Sequence, residues 1–133
     1  MDAVPKSHNW VKARAECSVE HLFHLLTEII DADVKAIEGR HTNVRFTFTK
    51  PAEGKIAVAA VRDTDGVITH EIVIFERWAG RITAKAGHTN KYLFSATPAF
   101  LPNGECKLEI ADEALELWQV SRRGLEGLFF PPE

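Results

Sequence analysis

The 133-residue sequence has little cysteine, little excess charge and no long apolar run. Its two cysteines, Cys17 and Cys106, are too few and too far apart for a disulfide framework or a C-x-x-C zinc motif, and we expect two small buried thiols. A formal net charge of -3 gives no basic field, so nucleic acid is not an expected partner. No apolar stretch approaches the roughly 20 residues that span a bilayer.

The sequence also lacks repeats, low-complexity segments and linkers. Met1 to His8 carries one lysine and no apolar run, so we expect no secretory signal and a cytoplasmic location. The hydrophobic fraction of 45% and the charged fraction of 26% are typical of globular proteins. A chain of this length buries roughly two-thirds of its unfolded surface. We therefore predict one domain over residues 1–133.

No catalytic or nucleotide motif is present: the chain contains no G-x-S-x-G, P-loop, G-x-G-x-x-G or H-E-x-x-H. Hydrolase, nucleotidase and dinucleotide functions therefore lose their usual support, and no cofactor is expected. His21, His24 and Glu28 share one helical face at a spacing that fits a metal ion. That face lies opposite the apolar stripe and should point to water, so no metal site is predicted.

Apolar residues recur at spacings of three and four from Ser18 to Glu38, which predicts a helix with Ser18 as N-cap and Gly39 just past its end. A second such pattern predicts a C-terminal helix from Asp112 to Gly127. Alternation of apolar and polar residues predicts strands at 11–17, 43–50, 55–62, 67–78, 81–86, 91–97 and 106–110.

The first and last of these strands match each other by charge. If they run antiparallel with Cys17 opposite Cys106, Glu16 faces Lys107 and Arg14 faces Glu109, with every apolar residue on one face. We therefore expect the first strand to pair with the last and nearly close the sheet.

The order strand, helix, six strands, helix resembles the helix-grip fold of the START and SRPBCC superfamily, over Trp10 to Phe130. The resemblance implies an α+β fold in which a curved, seven-stranded antiparallel sheet wraps around the C-terminal helix. It also implies binding of small apolar molecules or lipids between the sheet and that helix; only some members are enzymes. The short turn Pro51 to Gly54 replaces the glycine-rich loop of the plant pathogenesis-related branch.

A cavity of this kind would be lined by aromatic rings and a few polar groups, although a filled core is an equal alternative. We predict a binding site for a small apolar ligand, formed by Phe46, Phe48, Phe75, Arg77, Tyr92, Phe94 and Trp118.

Two other functions stay open. The protein is alternatively a homodimeric interaction domain that uses Ile72 and Ile74, or the tail Leu128 to Phe130, as its contact surface. It is alternatively a cyclase-like enzyme in which acid–base chemistry comes from His70, Glu71, Arg77 or Tyr92.

Overall fold

The computed structural model describes residues 9 to 132, so Met1 to His8, where no signal is expected, lie outside the described part. Within this part of the chain, three helices and seven strands follow one another. They are α1 (Trp10–Glu16), α2 (Val19–Ile37), β1 (Val44–Ala52), β2 (Lys55–Thr64), β3 (Val67–Arg77), β4 (Ile82–Ala86), β5 (Lys91–Phe100), β6 (Cys106–Ile110), β7 (Glu113–Leu115) and α3 (Leu117–Phe129).

The fold is α+β, with one open antiparallel sheet whose strands lie in sequence order from β1 to β7. A two-residue turn, Ala79 and Gly80, joins β3 to β4, and the Trp78 amide donates to the Arg81 carbonyl across it at 2.8 Å. Phe75 pairs with Ala84 across this turn, without a bulge between β3 and β4. Consecutive strands are thus joined by short turns throughout.

The core lies between one face of the sheet and the helices α2 and α3. α2 buries Leu22, Leu26, Ile30 and Val34, which recur at helical spacing. The strands meet them with alternating side chains, among them Phe46, Val58, Phe75, Ile82, Phe94 and Leu108.

The predicted first helix is confirmed. The Ser18 hydroxyl accepts a hydrogen bond from the His21 amide at 3.2 Å, as an N-cap does. α2 ends at Ile37, and Gly39 follows with φ +84°, the left-handed conformation that terminates many helices.

The predicted first strand is wrong: residues 10 to 16 form the short helix α1, and none of its side chains is buried. Its alanines and long charged residues are good helix formers, so their alternation with one another did not report a strand. The edge of β6 at which the first strand was expected is paired with β7 instead, and Glu109 there pairs with Ala114. The sheet therefore stays open, and the order is two helices, seven strands and one helix.

The two cysteines lie together as predicted, but they are not free thiols. Cys17 and Cys106 form a disulfide with a Cα–Cα distance of 5.5 Å across 89 residues of chain. Cys17 is buried at the junction of α1 and α2. The bond therefore fastens the start of α2 to β6, in place of the expected strand pairing.

The C-terminal helix begins later than predicted. Ala111 and Asp112 take positive φ angles of 50° and 68°, which turn the chain sharply into the short strand β7. Glu116 then caps α3 in a reciprocal arrangement with Gln119, whose side chain accepts from the Glu116 amide at 2.8 Å. A helix start at Asp112 is excluded by this turn.

Two contacts hold α3 tightly on the sheet. The Arg62 guanidinium donates to Glu71 at 2.8 Å and also to the Leu128 carbonyl at the end of α3. Gly124 faces the ring of Phe75 so closely that a Cβ atom there would lie 2.6 Å from it. α3 approaches the sheet this closely at Gly124 because glycine carries no side chain.

Candidate functional site

Three of the predicted ligand-binding aromatics lie in the packed core. The rings of Phe75 and Phe94 have centroids 6.2 Å apart, and both side chains are buried. Phe46 packs edge-on against Phe129 at 5.1 Å. Close approach of Gly124 to Phe75 leaves no room for a ligand between them. The interior is filled at this point.

The other four predicted residues are spread over the molecule. Phe48 is half-buried against the core, and Arg77 lies 3.8 Å from the Glu53 carboxylate. Tyr92 is 53% exposed and Trp118 is 56% exposed. Arg77 lines a recess beside the turn between β1 and β2, whereas Trp118 lines a different one between α2 and α3. The structure therefore does not gather the seven residues around a single space.

The recess that contains Trp118 is a groove of about 400 Å³ between α2 and α3, which we call the helix groove. Its floor is apolar and consists of Ile37, Leu125 and Phe129, all buried. Small-molecule sites in proteins commonly have volumes of about 300 to 1,000 Å³ and mostly apolar walls. The helix groove meets both descriptions.

Two exposed aromatic rings stand over this floor. Trp118 lies at the first turn of α3, and Phe130, 60% exposed, follows its last turn. Phe130 is held by an edge contact to His41, with ring centroids 5.9 Å apart. Large aromatic side chains left in solvent beside an apolar floor are typical of a contact or ligand surface.

Polar groups surround the groove on both helices. The Ser121 hydroxyl, itself buried, donates to the Asp33 carboxylate at 2.7 Å and joins the two helices. Arg122 donates two hydrogen bonds of 3.2 Å to the Glu126 carboxylate. Arg40 follows α2 and donates through Nε to the Ala36 carbonyl at 2.9 Å.

Sequence reasoning identified Trp118 but missed the α2 side of the groove. The signal was the spacing of Asp33, Ala36, Ile37 and Arg40, which repeats every three or four residues and places them on one side of the helix. Three of the four residues are polar or small, so they do not form the apolar pattern by which a buried helix face is recognised.

A second recess of about 400 Å³ opens between α3 and the sheet, the place where the sequence predicts a cavity. Val73, Leu93, Gly124, Gly127 and Leu128 form its apolar part, and none of them belongs to the predicted site. Its charged groups already have partners, because Glu71 bonds Arg62 and Arg123 bonds Glu113 at 3.1 Å.

The residues considered for acid–base chemistry do not form one arrangement. Glu71 is engaged by Arg62 and Arg77 by Glu53, while His70 and Tyr92 are exposed. On α2, His24 lies 3.9 Å from Glu28, with both side chains in solvent. Within residues 9 to 132, no group of three or more potential ligands that could hold a metal ion is found.

The contact surface considered for a homodimer is also divided. Ile72 and Ile74 are half-buried on the outer face of the sheet. In the tail, Leu128 and Phe129 are buried, and Phe130 alone of the three is exposed.

None of the helices in the described part of the chain has both the length and the apolar composition needed to cross a membrane. Comparison of the chain with models of protein families, with curated proteins and with solved structures gives no match.

Proposed function

We propose that the protein binds a small, largely apolar molecule in the helix groove between α2 and α3. The observation that carries this proposal is the pair of exposed rings, Trp118 and Phe130, over a buried floor of Ile37, Leu125 and Phe129. The ligand would cover the rings and remove apolar surface from water, at about 25 cal/mol for each Å².

This proposal keeps the predicted class of ligand and changes the place. The sequence predicts binding between the sheet and the C-terminal helix, but the recess there contains none of the predicted aromatic residues, and Phe75 is in close contact with Gly124. The helix-grip architecture stays part of the proposal. A C-terminal helix packed on one face of an antiparallel sheet supports it, whereas the leading helix α1 departs from the expected order.

The test is titration with the uncharged fluorescent probe N-phenyl-1-naphthylamine. Trp118→Ala should weaken binding by about tenfold, because it removes a large aromatic contact worth on the order of 1 to 2 kcal/mol. Trp10→Ala is the matched control, since Trp10 has a similar exposure, 59%, and lies on α1 away from the groove. Equal affinities for the two variants would contradict the proposal.

A homodimer is the second candidate, because Trp118 and Phe130 would also form a suitable contact surface for a second copy. Native mass spectrometry of freshly purified protein reports bound small molecules and subunit number together. A monomer carrying a small molecule supports the ligand proposal, and a dimer that dissociates on Trp118→Ala supports the interface.

The compartment also belongs to the proposal. A cytoplasmic location is expected from the composition, but the Cys17–Cys106 disulfide weighs against it, because structural disulfides persist mainly in oxidising compartments. Thiol labelling in intact cells, followed by mass measurement, distinguishes the two locations. Labelled cysteines indicate the cytoplasm, and unlabelled, disulfide-bonded cysteines indicate an oxidising compartment.

A further inference from the structure

Four charged side chains line the helix groove, and three of them already have partners. Asp33 accepts from Ser121 at 2.7 Å, and Arg122 and Glu126 are joined by two bonds of 3.2 Å. Arg40 is the fourth. Among residues 9 to 132, no carboxylate forms an ion pair with it within 4.0 Å.

Arg40 is held in place by the end of α2. Its amide donates to the Ile37 carbonyl at 3.1 Å, and its Nε donates to the Ala36 carbonyl at 2.9 Å. A guanidinium has five N–H donors, so the four on its two terminal nitrogens stay available to a ligand. Planar, paired donors of this kind suit carboxylate, sulfonate or phosphate oxygens.

The helix ends near Arg40 would by themselves disfavour an anion. A helix carries a partial negative charge of about half an electron at its C-terminus, and both α2 and α3 end at this side of the groove. An arginine meets each end, because Arg40 bonds the Ala36 carbonyl and Arg62 bonds the Leu128 carbonyl. The full charge of Arg40 is therefore not cancelled by the helix ends.

We propose that the groove selects an amphipathic anion, whose charged group pairs with Arg40 while its apolar body lies on Ile37, Leu125 and Phe129. This inference rests on the proposed function and names the class of ligand. The carboxylate of Asp33 repels the charged group, so the anion points toward the Phe130 end of the groove, away from Ser121.

Two probes with the same ring system separate charge from apolar contact. 8-Anilinonaphthalene-1-sulfonate carries a sulfonate that N-phenyl-1-naphthylamine lacks, and the ratio of their dissociation constants is the measured quantity. Arg40→Gln should raise the dissociation constant of the sulfonate relative to that of the uncharged probe by about two- to fivefold, as expected for an exposed ion pair. Raised salt should reduce the preference of the wild type for the anion.

Arg81→Gln is the matched control, because Arg81 is an exposed arginine in the β3–β4 turn and its loss changes the net charge equally. Glu126→Gln is the second test variant. It releases Arg122 into the groove and should shift the ratio toward the anion. This variant keeps the inference testable if Arg40→Gln unfolds, which far-UV circular dichroism would report.

The inference is overturned if Arg40→Gln and Arg81→Gln give the same ratio, or if Glu126→Gln leaves the ratio unchanged. In either case Trp118→Ala can still weaken both probes, and the proposed function then stands. If Trp118→Ala weakens neither probe, the proposed function itself fails.

Discussion

The disulfide gives the sharpest prediction about stability. Replacing both Cys17 and Cys106 by alanine removes a bond that closes a loop across 89 residues. Alanine is preferred to serine because Cys17 is buried, and a hydroxyl there would need a hydrogen-bond partner.

The magnitude follows from the length of the loop. In the chain-entropy model a loop of this length lowers the conformational entropy of the unfolded chain enough to add about 4.5 kcal/mol to the free energy of unfolding at 25 °C. Measured effects of disulfides are usually smaller, about 2 to 4 kcal/mol. We expect the double variant to lose about 3 kcal/mol and its melting temperature to fall by roughly 10 °C.

The assay is equilibrium unfolding in urea, monitored by tryptophan fluorescence and circular dichroism. Wild-type protein reduced with a phosphine is the companion sample, since it keeps both sulfur atoms and loses the bond alone. The double variant should not respond to the reductant, and a mass difference of two hydrogens confirms that the wild type was oxidised. If reduced and oxidised wild type unfold at the same urea concentration, the tether does not stabilise the fold and our reasoning is refuted.

Further predictions concern how α3 is held on the sheet. Arg62→Met leaves the Glu71 carboxylate and the carbonyl end of α3 without their hydrogen-bond donor. In urea denaturation the variant should have a free energy of unfolding lower by about 2 to 3 kcal/mol. An unchanged free energy of unfolding would show that neither bond contributes. Gly124→Ala should destabilise by about 1 to 3 kcal/mol because its Cβ would collide with Phe75. Gly127→Ala is its matched control, with nothing within 4 Å of the added carbon, and should stabilise by up to about 1 kcal/mol in thermal melts. A reversed order of the two alanine variants would contradict the close helix–sheet contact.

Much of the sheet could be predicted because its signals are local. Alternation of apolar and polar residues reports a strand with one buried face, and this located the strands from β1 to β6. The register of β3 on β4 was open, because a two-residue turn at Ala79 and Gly80 places Ile72 and Ile74 on the outer face and a bulge would have changed this; the structure has no bulge there. The same signal failed at residues 11 to 17, because small alanines between charged residues fit a helix surface equally well.

The candidate site was harder to predict because it depends on how two distant helices pack. Trp118 belongs by spacing to an apolar stripe with Leu125 and Leu128, which are buried as expected, yet α3 starts only at Leu117. Trp118 therefore lies in the first turn of the helix, where it borders the groove and is 56% exposed. Nothing in the spacing within α2 indicates that Asp33 meets Ser121.

The strands pair with their neighbours in sequence, but the groove joins residues as distant as Asp33 and Ser121, which are 88 positions apart. During synthesis α2 emerges before the strands of the sheet and α3 emerges after them. Any chain shortened before Leu117 would therefore keep all seven strands yet have no second wall beside Ile37. If the helix groove binds a ligand as proposed, probe binding requires α3 as well as the sheet, and it distinguishes chains that contain this helix from chains that lack it.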